Sequence, residues 1–160
     1  MTALLAALSL VVSLPAAASP PPPVTVVHGP SGLETLLAAP GKAPLVVHFW
    51  ATWCSACRHE LPHLAKLFAQ ARARGARVVL VSLDDPDGGA VKVTRMLDRL
   101  RVPGERYLLD APDSAPIVAL VDSSWDGALP ATFVFREGKR RATFIGPLEK
   151  GPALLDALVP

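Results

Sequence analysis

Cys54 and Cys57 are the only cysteines in a chain of 160 residues, and the segments flanking them constrain the fold more than any other part of the sequence. Leu45 to Trp50 is a continuous run, mostly β-branched or aromatic and interrupted only by His48, as expected of a central strand covered on both faces. From Cys54 to Arg74, Leu61, Leu64, Leu67, Phe68 and Ala71 recur at helical spacing. A strand therefore passes into a helix at the cysteines. The free N–H groups and macrodipole of that helix start stabilise a thiolate at Cys54, lower its pKa and make it the nucleophile at neutral pH. Cys57, one turn on and facing inward, can then attack a mixed disulfide and release the product. A disulfide across so short a loop restrains little of the unfolded chain, so stability is a poor reason for the pair. Pro62 removes one hydrogen bond from the helix and predicts a kink after the second cysteine.

The rest of the chain supplies the other layers. Val24 to Val27 is a short β-prone run, and Ser31-Gly32-Leu33-Glu34 is a capping-box sequence opening a short helix that ends near Pro40. Val78 to Leu83 is a second buried strand, followed by a loop, Asp84-Asp85-Pro86-Asp87-Gly88-Gly89, and a helix from Ala90 to Leu100. Tyr107 to Leu109 reads as a short strand, Ala115 to Val121 as a short helix and Leu148 to Leu158 as the last helix. Thr132 to Arg136 and Arg141 to Phe144 read as a hairpin around Glu137-Gly138. This order predicts an α/β fold with a central mixed sheet flanked by helices, parallel first and antiparallel last, with right-handed crossovers and a helical insert.

Ahead of that domain, Met1 to Ala18 carries no charged side chain, and Ala16 and Ala18 give a small-x-small pattern. These features predict a signal peptide over 1–18, or an anchor if it stays uncleaved. Ser19 to Pro23 is a stiff proline spacer, leaving 24–160 as one domain long enough to bury a core.

The segment Phe49-Trp50-Ala51-Thr52-Trp53-Cys54-Ser55-Ala56-Cys57-Arg58-His59-Glu60-Leu61-Pro62 resembles the TlpA/ResA branch of exported thioredoxin-like proteins. Leu129-Pro130-Ala131-Thr132-Phe133-Val134-Phe135 resembles the cis-proline segment of that family, and Gly138 and Gly146 fall where its hairpin glycines do. The resemblance implies a thioredoxin-like fold and a thiol-disulfide oxidoreductase exported to the periplasm or another extracytoplasmic space. The Ser55-Ala56 dipeptide leaves reductase and oxidase both open; the resemblance implies a reductase, since members commonly reduce disulfides in cytochrome c maturation or related metalloprotein assembly. Pro130 would be the cis-proline packed against the cysteines, with the backbone of Leu129 left to pair with an extended substrate and Trp53 at the rim. Glu60 matches the acidic residue the family places near the redox pair. The implied partners are protein thiol and disulfide clients and an upstream redox partner such as a membrane electron donor, and the implied state is a monomer. No cofactor is called for, since the dithiol itself carries the electrons.

Chemically, a semi-buried carboxylate at Glu60 can relay the proton that Cys57 must lose before it resolves a mixed disulfide. The plainer alternative is a solvated glutamate in an early helical turn. His48 departs from the family, which carries Asp or Asn there. Two readings stay open: a titratable group beneath the disulfide that tunes the site, or a core histidine whose hydrogen bonds are satisfied.

Other chemistries fit less well. A net charge of +2 is too small to argue for nucleic acid or an anionic membrane. Cys54, Cys57, His59 and His63 are metal-ligand types, but two helical residues turn His59 roughly 200° from Cys57, so no metal is expected. A peroxiredoxin-like thiol peroxidase would place Thr or Ser three residues before its reactive cysteine; Ala51 stands there, and Thr52 is out of register.

Overall fold

A computed structural model describes residues 21–38, 43–149 and 151–159. The expected leader over 1–18 and the first two residues of the 19–23 spacer lie outside them. The strands are β1 (Val24–His28), β2 (Leu45–Trp50), β3 (Arg77–Ser82), β4 (Glu105–Asp110), β5 (Ala131–Arg136) and β6 (Lys139–Ile145). The helices are α1 (Gly29–Leu37), α2 (Ser55–Ala73), α3 (Pro86–Leu100), α4 (Ala115–Val121) and α5 (Gly151–Asp156).

One sheet runs in the order β1-β4-β3-β2-β5-β6. The four strands from β1 to β2 are mutually parallel, and β5 and β6 join antiparallel, so the sheet is mixed as expected. Every residue of β2 is buried, because both faces of the central strand are covered. Val46 and Trp50 face Leu61, Leu64 and Phe68 of α2 and Leu154 of α5. Leu45, Val47 and Phe49 face the other way, toward Leu33 of α1 and Ile117 and Val121 of α4. On that second face Phe49, Trp125 and Phe133 form a triangle of rings with centroids 5.0, 5.3 and 5.9 Å apart.

Three local expectations are corrected. The Ser31 capping box does not form: α1 starts at Gly29, with His28 at the cap position making no side-chain bond, because Pro30 fixes the first helical φ two residues earlier. β4 is twice as long as the Tyr107 to Leu109 run suggests, since the charged residues Glu105 and Arg106 at its start still pair with β3. The last helix begins at Gly151 rather than Leu148, whose N–H is used elsewhere. α2 continues through Pro62 as one helix. Near α3, Asp87 and Gly88 are non-helical, Gly88 at φ 73°, so the regular helix starts at Gly89, close to the expected Ala90.

Candidate functional site

β2 lies between β3 and β5, so its C-terminal end opens at the middle of the sheet. Ala51, Thr52 and Trp53 turn the chain there, with the Cys54 N–H donating to the Ala51 carbonyl at 3.2 Å. Cys54 is the N-cap of α2, and its sulfur accepts the Cys57 N–H at 3.1 Å. Sulfur thus takes the role usually filled by a serine or aspartate oxygen. Cys54 and Cys57 are joined as a disulfide with Cα atoms 5.3 Å apart. In the reduced protein the same N–H and the helix end favour a thiolate at Cys54. Cys54 is 8% exposed and Cys57 0%, so only the first sulfur is open to another molecule. Trp53 beside it is 63% exposed, whereas Trp50 is fully buried.

The turn is held from behind by Asp84, just past the end of β3. Its Oδ2 accepts the Thr52 N–H at 2.9 Å and the Ser82 hydroxyl at 2.6 Å, and its Oδ1 accepts the Thr52 hydroxyl. The start of α3 closes over this carboxylate as glycine: a Cβ on Gly89 would meet the Asp84 Cβ at 3.0 Å and Leu108 Cδ1 at 3.3 Å. The sequence shows Asp84 only as the first residue of a polar loop, and its part in positioning the cysteine turn was not foreseen.

β5 brings the second element. Phe49 is in register with Ala131, which carries Pro130 opposite Trp50, the last residue of β2. The Leu129–Pro130 peptide is cis. Pro130 is buried and Leu129 half-buried, packed against the cluster that contains both cysteines. The Pro130 carbonyl accepts the Gly146 N–H at 2.8 Å, and the Leu129 backbone forms no backbone hydrogen bond among the described residues.

On the α2 face of the sheet lies a polar pair in an apolar shell. His48 is fully buried, with its ring edge-on to Phe68 at 5.6 Å, and its Nδ1 is hydrogen-bonded to Thr132 Oγ1 at 2.9 Å. Its Nε2 faces Glu60 Oε1 at 3.5 Å. Glu60 is buried one turn after Cys57, and its other oxygen accepts the Leu148 N–H at 2.8 Å. The facing atoms, His48 Nε2 and Glu60 Oε1, have no other partner. Burial pushes the Glu60 carboxyl up from 4.5 to about 7, against the pull of the Leu148 N–H. It pushes the His48 imidazole down from 6.5 to about 3, so the pair is no ordinary ion pair at neutral pH. Thr132 and Leu148 were legible only as members of a strand and a helix.

The remaining histidines do not converge on the sulfurs. His59 Nδ1 lies 2.8 Å from the Ser55 carbonyl, on an exposed turn, and His63 is exposed. Among the described residues no group of three or more His, Cys, Asp or Glu side chains is placed to hold a metal ion. A cavity of about 1030 Å³ opens at the other pole of the sheet, lined by Arg77 and Val78 at the start of β3 and Glu105 and Arg106 at the start of β4. There Arg77 forks onto Glu105 at 2.6 and 2.7 Å, and neither cysteine lines the cavity.

A mixed sheet with a cysteine pair at a strand-to-helix junction and a cis-proline alongside defines a thioredoxin-like protein with a redox-type disulfide. The chain belongs to the AhpC/TSA family, whose model matches residues 30–141. It is 42% identical over 40 residues to the thiol-disulfide oxidoreductase ResA of Oceanobacillus iheyensis, covering 25% of this chain and 21% of that one. To ResA of Geobacillus thermodenitrificans it is 24% identical over 105 residues, covering 65% and 55%. The chain thus spans about a fifth of the first relative and about half of the second. The thioredoxin-related protein from Neisseria meningitidis serogroup B superposes with a TM-score of 0.61 at 25% identity, covering 77% of this chain and 87% of that one.

Proposed function

We propose that this chain is a thiol-disulfide oxidoreductase that reduces protein disulfides outside the cytoplasm. The observation that carries the reading is the asymmetry of the pair: an accessible Cys54 at a helix N-terminus, receiving the Cys57 N–H, and a fully buried Cys57 behind it. In the reduced form the Cys54 thiolate attacks one sulfur of a client disulfide. The client's other sulfur leaves and takes a proton. Cys57 then gives its proton to the Glu60 carboxylate and attacks Cys54 Sγ, which breaks the bond to the client and releases its second thiol. Two electrons have passed to the client, and the chain is left as the disulfide seen here. Cys54 and Cys57 are the catalytic residues, Glu60 the proton acceptor, and Trp53, Leu129 and Pro130 the surface against which an extended client lies. An upstream donor, membrane-bound in this reading, would return the electrons; the domain of 24–160 would work as a monomer behind a leader over 1–18. Among the described residues no helix is long and apolar enough to cross a membrane.

The test is a trap. Cys57→Ala should hold clients as mixed disulfides on Cys54, while Cys54→Ala should hold none; capture on neither cysteine overturns the assigned order. The reduction potential then decides direction, a value near about −270 mV supporting a reductase and one near about −120 mV an oxidase. The AhpC/TSA match keeps peroxide reduction as a second reading. Against it, Ala51 stands three residues before Cys54, and the Thr52 hydroxyl is already taken by Asp84. Peroxide consumption with a thiol donor would restore it.

A further inference from the structure

We propose that His48 is a positioning residue for the redox reaction: held by Thr132, its imidazole shares one proton with the Glu60 carboxyl, changing tautomer as that carboxyl gains or loses it. The inference rests on the oxidoreductase reading for its purpose, though not for its geometry. Two buried polar atoms, His48 Nε2 and Glu60 Oε1, face each other at 3.5 Å with no other partner. Leaving two such atoms unsatisfied costs far more than closing a few tenths of an ångström to a made hydrogen bond.

The partner on the far side of the ring makes both protonation states comfortable. A hydroxyl both donates and accepts, so Thr132 Oγ1 can serve Nδ1 in either role. With the carboxyl protonated, Glu60 Oε1–H donates to Nε2 and Nδ1–H donates to Thr132. With the carboxylate ionised, Nε2–H donates to Oε1 and the Thr132 hydroxyl donates to Nδ1. One proton added to or removed from the pair thus changes every donor into an acceptor along the line, and the facing atoms, His48 Nε2 and Glu60 Oε1, are partnered in both states. Asparagine at position 48 has no titratable proton and could not exchange donor for acceptor in this way.

Other groups leave the pair to itself. Arg58, His59 and His63 on α2 and Glu149 beside Leu148 are exposed, and none bonds to Glu60 or His48 among the described residues. The neighbours the pair does have are Phe68 from α2, Thr132 from β5 and the Leu148 N–H from the segment before α5, with Cys57 one helical turn before Glu60. With the carboxyl near 7, the pair stands half-loaded at neutral pH, able to take the Cys57 proton and return it.

The full chain in its disulfide form, with ¹⁵N-labelled histidine and ¹³C-labelled glutamate, tests this by NMR from pH 5 to 9. Nδ1–H should dominate at pH 6 and Nε2–H at pH 8. Their ratio should change about a hundredfold, with the midpoint of the Glu60 carboxyl. Glu60→Gln should abolish the change. A single tautomer throughout, an imidazolium, or a change that survives in Glu60→Gln would each overturn the inference. Exchange with a small dithiol is measured on the same protein. Its absence would sink the oxidoreductase reading and leave the tautomer result standing, whereas exchange with a fixed tautomer would sink the role of His48 alone. In the pH profile of that exchange, His48→Asn should move the inflection by about one pH unit, a tenfold change in proton affinity. An unmoved inflection would reduce His48 to a packing residue.

Discussion

Two buried carboxylates flank the cysteine turn, and the protein treats them in opposite ways. Asp84, behind Thr52, receives three hydrogen bonds from Thr52 and Ser82. Glu60, one turn after Cys57, receives only the Leu148 N–H and leaves its second oxygen toward an imidazole 3.5 Å away. The first arrangement commits both oxygens to hydrogen bonds that fix a loop. The second pushes the carboxyl up to about 7 and leaves it able to load and unload at neutral pH. Burial alone therefore does not mark a functional carboxylate. The number of donors it has been given does.

The largest test of that contrast is Asp84→Ala. It strips the partners from the Thr52 N–H and hydroxyl and from the Ser82 hydroxyl. A loss of about 3 kcal/mol in urea unfolding is expected, together with slower dithiol exchange from the folded fraction as the Cys54 cap loosens. If Asp84→Ala cost no more stability than Glu60→Ala, the division into a structural and a functional carboxylate would fail.

The next effect is about 2 kcal/mol and is read against pH. Between pH 4.5 and 7, native Glu60 keeps a proton that the unfolded chain has lost, so the native state binds more protons and stability falls as pH rises through that window. His48 acts with the other sign. Its native imidazole stays neutral down to about 3 while the unfolded one charges below 6.5, so stability falls as pH drops from 6.5 toward 3. The two slopes oppose each other between 4.5 and 6.5, leaving from this pair a plateau with a fall on each side. Glu60→Gln removes the alkaline fall. It should exceed the wild type by about 2 kcal/mol at pH 8, with the gap closing as pH falls to 4.5. A stability difference that does not vary with pH would mean that Glu60 is well solvated.

The same contrast explains what the sequence could and could not disclose. Cys54, Cys57 and Glu60 follow one another along a single helix, so their spacing places them, and Leu45 to Trp50 announces its own burial through its residue types. Pro130 was reached through a resemblance that spans a contiguous motif. Asp84, Thr132 and Leu148 were not assigned to the site, because what matters about each is a polar contact across 32, 84 or 88 residues. Such contacts leave no period in the chain. The apolar run Val78 to Val81 close ahead of it is the hint at a buried Asp84, and the Asp-Asp-Pro-Asp-Gly-Gly sequence around it reads more naturally as an exposed turn.

The smallest test divides the Asp84 cluster itself. Thr52→Val keeps the β-branched shape and the backbone N–H bond at 2.9 Å but deletes the hydroxyl that donates to Oδ1. Because Asp84 retains two donors, the expected cost is about 1 kcal/mol, well short of Asp84→Ala. Amide hydrogen exchange at Trp53 and Cys54 should quicken, since the turn then hangs on one bond fewer. The exchange rate with a small dithiol should stay within about threefold of wild type, a difference below about 1 kcal/mol, because neither sulfur nor Glu60 has been touched. Unchanged amide exchange would place the hold on the turn in the packing of Ala51 and Cys54 rather than in Asp84. A loss of activity as large as that from Asp84→Ala would instead assign the hydroxyl a part in the chemistry, and with it reopen peroxide reduction.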